Sequence, residues 1–475
     1  MTSQSAEIEA GCNVSLIRGG RVIDPENRID QVADLLLSGG KVVQIGAKQP
    51  NLPSGKMGVV IDATGLLVVP GLIDMHVHLR EPGFEHKETI QTGTRAAMIG
   101  GFTSVACMAN TNPTADSAET IAWVRSKAEA EGAVDVYPIG TITRNLEGKV
   151  KSDWNALLEA GAVALSDDGK TVMDTAIMRD VFSHSAKGGF PIIDHCEDHH
   201  LTADTVMNLG AVSQRLGLPG QPNASEDIII ARDILLAEQT GGHAHIAHVS
   251  TEGGVDLIRW AKRRGVNVTT EACGHHFTIT EAEVEKHGTN AKMHPPLRTQ
   301  KDVEAVKQGL ADGTIDTIVT DHAPHAHFEK NPPGADDSIQ QSMMAAPAGI
   351  IGLETSLPLA LTQLKDLLAP SEIIAKMTCI PAQILGIERG TLSSGAVADV
   401  TLIDSNLTQT VEPDTFASKS RNTPFTGWKL TGWPVATIRA GQLAWAADHI
   451  WSLVEETDQS ESQGNQLLSR RGDRP

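Results

Sequence analysis

Two regimes of hydrophobic patterning run along the chain. In residues 13–69 the apolar runs VSLIRGGRVID, ADLLLSGGKVVQIG and GVVIDATGLLVVPG are broken by glycine and polar residues at the spacing of strands and turns. The glycine pairs 19–20 and 39–40 fall between such runs and predict hairpin turns. From Val68 onward, β-type apolar runs alternate with segments of helical periodicity. The runs are VVPGLIDMHVH, SVACMAN, VDVYPIGTI, AVALSDD, PIIDHCE, AHIAHVS, VNVTTEAC and DTIVTDHAPH, eight candidate strands. Between them, SEDIIIARDILLAEQTGG (225–242) has Ser225 to cap a helix and a glycine pair to end it. Lys87 and Glu88 read as the start of the helix after the first of these strands.

Strands apolar on both faces, each followed by a helix, belong to a parallel sheet covered on both sides. Eight such units predict an α/β fold closed as a (β/α)8 TIM barrel, with a doubly wound open sheet as the alternative. Beyond about residue 385 the pattern returns to strands, in ADVTLID and TGWKLTGWPVATIRAGQLAW. The expected organisation has a flexible N-terminus over 1–12 and a small β-sandwich domain built from 13–69 and 385–450. The barrel is inserted over 70–384, and a polar, disordered tail follows over 451–475.

Composition narrows the function classes. The chain has 475 residues, 40% hydrophobic and only 3% aromatic, enough for a sizeable and mainly aliphatic core. A formal net charge of −20 opposes nucleic-acid and anionic-membrane surfaces, so an anionic substrate would need a local basic pocket. No run approaches the ~20 apolar residues of a spanning helix. The start, MTSQSAEIEAGC, lacks the basic and apolar regions of a secretory signal. Five scattered cysteines (Cys12, Cys107, Cys196, Cys273, Cys379) do not form a disulfide pattern, and a reducing cytoplasm is expected.

The chemistry-bearing residues gather at the C-terminal ends of the predicted strands, where barrel enzymes keep their active sites. The first strand ends in His76-Val77-His78, and alternate strand residues share a face, so both imidazoles can address one ion. The fifth ends in His195, followed by Cys196 and Glu197, the sixth in His248, and the eighth in Asp321-His322-Ala323-Pro324-His325. Each alone is an ordinary polar strand end. Their coincidence points to a metal, and four imidazoles with a carboxylate suit zinc or another borderline divalent ion. The fourth strand ends in Ser166-Asp167-Asp168-Gly169, where a carboxylate could bridge two metals. Alternation admits only one of the two aspartates inward and does not say which. Lys170, past the glycine, reads as solvated. Arg80, two residues beyond His78, is placed at the mouth. His199 and His200 read as exposed, His275 and His276 as structural or supporting residues, and Cys107 and Cys196 as buried fillers.

The segments GLIDMHVHLREPG (71–83), SDDG (166–169), DHCED (194–198), IAHVST (246–251), KMHPPLR (292–298), DHAPH (321–325) and RNTPFTGW (421–428) resemble class I dihydroorotases of the amidohydrolase superfamily, in order and at suitable intervals. The similarity runs from about Asp34 to Trp445. It implies a zinc enzyme that interconverts dihydroorotate and N-carbamoyl-L-aspartate in pyrimidine synthesis. It further implies two zinc ions per subunit: one on His76, His78 and Asp321, the other on His195 and His248, with Asp168 and a hydroxide between them. Asp321 would carry the proton from hydroxide to the departing ring nitrogen. His78, Arg80, Asn110, His294, His325, Ala348 and Gly349 would contact substrate, with Arg80 on its carboxylate. The partner implied is a small molecule, without nucleic acid or membrane; association with itself or with aspartate transcarbamoylase is left open.

Two positions depart from the family pattern. His294 stands where the family has asparagine, and Ala348 where it has phenylalanine. The stretch between His325 and Pro347 is also longer than usual. These changes bear on substrate affinity and identity, and keep an allantoinase- or hydantoinase-like activity as an alternative. The aspartate of SDDG and the arginine of HLREPG oppose it, since those relatives resemble a lysine-bridged pattern. A non-catalytic partner of aspartate transcarbamoylase is a further alternative, opposed by the presence of every expected ligand.

Overall fold

Strands from both ends of the chain pair in one sheet. The computed structural model describes residues 14–46, 57–332 and 338–456; the segment 1–12 and the tail beyond 456 lie outside the described residues. The sheet runs Gln442–Ala446, Lys429–Arg439, Val400–Thr410, Leu67–Pro70, Val14–Asp24, Ile29–Ser38 and Lys41–Gly46. Met57–Asp62 lies parallel to the first half of Val14–Asp24 and takes the short strand Val454–Glu456 on its other side. Residues 454–456, expected in a disordered tail, are thus strand, because the backbone of 59–61 offers them a free edge. Ile17, Leu35, Leu37, Val68, Val400, Leu402 and Val435 share an aliphatic core here.

The two glycine pairs behave differently. Gly39 and Gly40, with φ of 58° and 75°, make the expected turn between Ile29–Ser38 and Lys41–Gly46. Gly19 and Gly20 make no hairpin. They lie inside Val14–Asp24, where the register against Ile29–Ser38 shifts between Ile17 and Gly20, and the chain turns at 25–28 instead. A Cβ on Gly20 would fall 2.4 Å from Val68 Cγ2, so glycine there serves the close approach of the neighbouring strand.

After Pro70 come parallel strands with helices between them. Leu72–Val77 pairs with Phe102–Cys107, which pairs with Asp135–Pro138; Pro191–Asp194 pairs with His243–Ile246, then Val268–Cys273, then Thr317–Val319. The predicted strand at 162–168 is recorded only through Leu165, which bridges Gly140 on one side and Ile192 on the other. Its ladder bonds are present: Ser166 N donates to Gly140 O at 2.8 Å and Ile193 N to Leu165 O at 2.9 Å. A parallel bridge from Val77 to His322 joins the last segment to the first. Strands 72–77 and 102–107 are buried at every residue, as the continuous apolar runs require. One interior cluster draws Met75, Ala106, Ile139, Ala164, Ile193, Ala247, Cys273 and Val319 from the eight successive segments.

Side-chain caps start the intervening helices: Thr89 for Ile90–Ile99, Asp174 for Thr175–Gly188, Thr251 for Glu252–Arg263 and Thr299 for Gln300–Ala311. Two sequence readings shift by a few residues. The helix expected from Ser225 runs Ala224–Thr240, with Ser225 inside it and its hydroxyl on Pro222 O. Lys87 and Glu88 precede the helix at Ile90. Glu88 is buried, accepting from Lys419 N at 3.1 Å and from the Ser418 hydroxyl, so tertiary contacts hold it rather than a helix turn. Arg439 and Arg389 both pair with Asp135, at 2.5 and 2.9 Å, fastening the end sheet to the parallel strands. Among the described residues no helix is long and apolar enough to cross a membrane.

Candidate active site

The ends of five parallel segments converge around the carboxylate of Asp168. Its Oδ1 faces His76 Nε2 at 3.4 Å, His248 Nε2 at 3.5 Å and His195 Nδ1 at 3.7 Å, while Oδ2 faces His78 Nε2 at 3.4 Å. Asp321 Oδ1 lies 3.0 Å from His78 Nε2 and 3.6 Å from His76 Nε2. Most of these separations are too long for good hydrogen bonds. They match the donor-to-donor edges of a coordination shell with bonds of about 2.0–2.2 Å. His76 Nε2 and Asp168 Oδ1 are buried and have no hydrogen-bond partner. Donor atoms of His76, His78 and Asp321, and of His76, Asp168 and His248, lie within 4.8 Å of one another.

The choice between the two aspartates is made by the strand's phase. Asp167 turns away, and its Oδ1 accepts from Ile142 N at 2.8 Å and Thr143 N at 2.9 Å. Burial raises its carboxyl to about 6, against those bonds. Lys170 is exposed, as its place beyond Gly169 implied. His200 is exposed too, whereas His199 is half-buried and its Nε2 accepts from Thr171 N.

Acceptors behind the imidazoles set their tautomers. Glu271 Oε1 takes His76 Nδ1 at 2.5 Å, Glu197 Oε2 takes His195 Nε2 at 3.1 Å, and Asn110 Oδ1 takes His78 Nδ1 at 2.8 Å. Each directs the opposite nitrogen at Asp168 or Asp321, where it can offer its lone pair to a metal that displaces any proton there, the arrangement found behind metal-bound histidines. Burial disfavours charge on His76, yet Glu271 and Asp168 outweigh it and raise the imidazole well above its ordinary value. Burial likewise opposes the Asp168 and Asp321 carboxylates, and the surrounding imidazoles outweigh it and hold both below the usual range. The site thus concentrates anionic oxygen and imidazole nitrogen, and its donor set fits a divalent metal.

A cavity of about 260 Å³ opens above this cluster, and its wall includes His78, Arg80, Asn110, His294, His325, Ala348 and Gly349. The Arg80 guanidinium is buried, its Nε donating to Pro324 O at 3.2 Å. Burial lowers it to about 10 despite the pull of Asp321 and Asp168, so it stays a cation at neutral pH. His325 donates from Nε2 to Ala348 O at 2.8 Å and faces Lys87 Nζ through Nδ1. Burial, with Arg80, Lys330 and Lys87 nearby, holds it far below the ordinary histidine range, hence neutral. His294 contacts Glu197 Oε2 through Nε2 and stacks on His195 at 5.0 Å between centroids. At Gly349, with φ of 140°, a Cβ would come within 2.7 Å of Ala323 O and 3.0 Å of the His325 ring, so only glycine fits.

Backbone strain collects at this wall. Arg80, His248 and Asp321 adopt φ of 64°, 30° and 47°, conformations that L-residues hold only when surrounding structure imposes them. Several supporting residues carried no sequence expectation. Glu271 also takes His245 Nε2 at 3.1 Å and His248 N at 3.2 Å. Asn422 donates to Ala323 O and Gly349 O while accepting from His325 N. Lys330, buried in the segment after His325, donates to Thr289 O and Pro347 O at 2.9 Å each and pins the stretch that carries Ala348. Glu271 shows in the sequence as a charge inside a strand, and Asn422 and Lys330 fall in segments noted there without a role.

Comparison with known proteins finds relatives in sequence and in fold. A family model described as "Dihydro-orotase-like" matches residues 65–253. A dihydroorotase of Pelotomaculum thermopropionicum is 51% identical over 430 residues, covering 90% of this chain and 97% of its own. One of Geobacter metallireducens is 50% identical over 431 residues, covering 90% and 99%. Among solved structures, an L-hydantoinase (dihydropyrimidinase) of Arthrobacter aurescens superposes with a TM-score of 0.80 at 26% identity, covering 90% of this chain and 95% of that one. A D-hydantoinase (dihydropyrimidinase) of Thermus sp. superposes with a TM-score of 0.77, also at 26% identity, covering 91% and 96%.

Proposed function

The chain belongs to the dihydroorotase family of the amidohydrolase superfamily, and from that premise we propose how its residues carry out the reaction. It is a hydrolase acting on cyclic amides, a dihydroorotase of pyrimidine biosynthesis. We further infer a class I enzyme on a closed (β/α)8 barrel. The eight parallel segments, the bridge from Val77 to His322 and the shared interior layer support that reading. The end sheet, folded about Val14–Asp24, is the small β-sandwich built from both ends of the chain.

We assign two zinc ions as the resident metal. His76, His78 and Asp321 would hold one, His195 and His248 the other, and Asp168 would reach both. When bound, the pair supplies Lewis acidity towards the scissile carbonyl and a nucleophile at neutral pH. The chain's own residues do the rest. The carboxylate of dihydroorotate needs a cation in a molecule of charge −20. Arg80, fixed by Pro324 O, provides it at the cavity wall, with Asn110 and the neutral His325 bracing the same region. Asp321, ionised under the influence of His78, is placed to accept a proton at its carboxylate and return it to the departing ring nitrogen.

One observation carries the assignment: a buried carboxylate oxygen of Asp168 has no hydrogen-bond partner, yet three imidazole nitrogens face it. The test is turnover of L-dihydroorotate and N-carbamoyl-L-aspartate by zinc-loaded protein, beside a panel of hydantoins and allantoin. Turnover of dihydroorotate no greater than that of a His76→Ala control would end the proposal.

A further inference from the structure

Beside the site already described lies a second cluster of metal-binding side chains with no part in the proposed reaction. The strand Val268–Cys273 ends at Cys273, and the turn that follows folds back at once, His276 N donating to Cys273 O at 3.0 Å. This brings Cys273, His275 and His276 together, with one donor atom from each within 4.8 Å of the others. All three are buried, at 0%, 2% and 3% exposure. We propose that Cys273, His275 and His276 form a third metal site, separate from the pair around Asp168, that takes zinc or a similar thiophilic divalent ion.

The hydrogen bonding around His276 prepares that ring as a ligand. His276 Nε2 lies 3.0 Å from Pro295 O. A carbonyl oxygen only accepts, so Nε2 carries the proton and Nδ1 keeps a bare lone pair. That Nδ1 is buried and has no partner, and the same is true of His275 Nε2. Leaving a buried polar atom unpaired is costly. A carbonyl behind one nitrogen with the other left open is the arrangement found behind metal-bound histidines. The Cys273 thiol, aimed into the barrel interior, makes no hydrogen bond among the described residues.

The donor set selects the class of ion. One thiolate with two imidazoles suits zinc, and excludes calcium and magnesium, which prefer oxygen. Bonds of ~2.0–2.3 Å put donors ~3.3–3.8 Å apart in a tetrahedron, so small side-chain rotations close the site. Burial and the nearby Asp321 and Glu271 carboxylates hold the Cys273 thiol well above its ordinary value, so the metal must displace its proton, which leaves to solvent as the sulfur–metal bond forms.

Cobalt(II) reports this site without reference to activity. The ligands around Asp168 are all nitrogen and oxygen, so a thiolate-to-cobalt absorption in the near ultraviolet cannot arise there. The expected result is such a band in the cobalt-loaded full-length protein, and about one metal equivalent more per chain than in Cys273→Ala. In that variant the visible cobalt bands of the nitrogen–oxygen site persist, showing that it is folded and loaded. His276→Gln, which removes the Nδ1 donor, should abolish or shift the same band. A wild-type spectrum and metal content equal to those of Cys273→Ala would overturn the site. So would a band unchanged in His276→Gln, which would place the cobalt on another cysteine. Should Cys273→Ala fail to fold, the wild-type and His276→Gln spectra decide the matter.

Discussion

Asp168 Oδ1 and His76 Nε2 stand 3.4 Å apart, both buried and neither hydrogen-bonded. Two such atoms face one another at low cost only when positive charge lies between them, and a metal ion supplies it for all the nitrogens around Asp168 at once. Asp168→Ala should therefore lose at least one metal equivalent per chain relative to wild type, from the pair around His76 and His248, and lower kcat/KM by at least about 100-fold. Asp167→Ala should keep both metals. It should instead lose about 1–3 kcal/mol of stability, because Ile142 N and Thr143 N lose their acceptor. Elemental analysis and denaturation of the two variants check this. The reverse pattern would mean that Asp167 is the metal-facing residue.

Asp321 is assigned both a place at the metal and the movement of a proton. Asp321→Asn retains an oxygen donor near His78 and His76 but cannot take up a proton at that position. Metal content should fall little while kcat falls by about 10²–10⁴. Near-normal turnover in a metal-replete variant would remove the proton-transfer role.

Arg80 is a buried cation on the cavity wall, held by Pro324 O rather than by a carboxylate. Its charge is free for an anionic substrate. Arg80→Ala should raise KM for dihydroorotate and cut kcat/KM by about 10–100-fold, the worth of a charge-assisted hydrogen bond. Hydrolysis of an uncharged ring such as hydantoin, where measurable, should suffer less. Equal losses on both substrates would sever Arg80 from carboxylate recognition.

Glu271 takes His76 Nδ1 across 195 residues of sequence and also holds His245. Glu271→Gln keeps the shape but weakens the hold on both rings, and should lower metal affinity by about 10–100-fold, read by chelator competition. Unchanged affinity would show that packing alone orients His76.

Glu271 also marks the boundary of what the sequence reveals. His76, His78, His195, His248 and Asp321 were legible because polar, metal-binding residues at the ends of apolar runs break a local pattern, and the repeating strand–helix unit says where such ends meet. Strand alternation alone does not separate Asp167 from Asp168, since the strand's phase is set by Ile142 and Thr143 on a neighbouring segment, and the choice of Asp168 comes from the family resemblance. Glu197, Asn422 and Lys330 owe their roles to partners that chain order does not reveal. The same holds for Gly20. A glycine pair between apolar runs reads as a turn, and only the neighbouring Val68 makes it a bulge.

Glu354 gives a pH test of the fold. It is 7% exposed, and its Oε1 accepts from Ala417 N at 2.9 Å and Ser418 N at 3.4 Å. Burial raises its carboxyl from 4.5 to about 8, outweighing both N–H groups and Arg421. The folded protein therefore keeps this proton up to about pH 8, whereas the unfolded chain releases it near 4.5. The associated stability is fully present below about pH 4.5 and is lost as pH rises to about 8, at no more than about 1.4 kcal/mol per pH unit. Glu354→Gln keeps an acceptor oxygen for the two N–H groups and has no proton to lose. Relative to wild type, the variant should gain stability between pH 5 and pH 8, up to about 4 kcal/mol, seen as a growing difference in unfolding free energy or Tm. A difference that stays flat across that range would mean that Ala417, Ser418 and Arg421 keep Glu354 ionised in the folded protein.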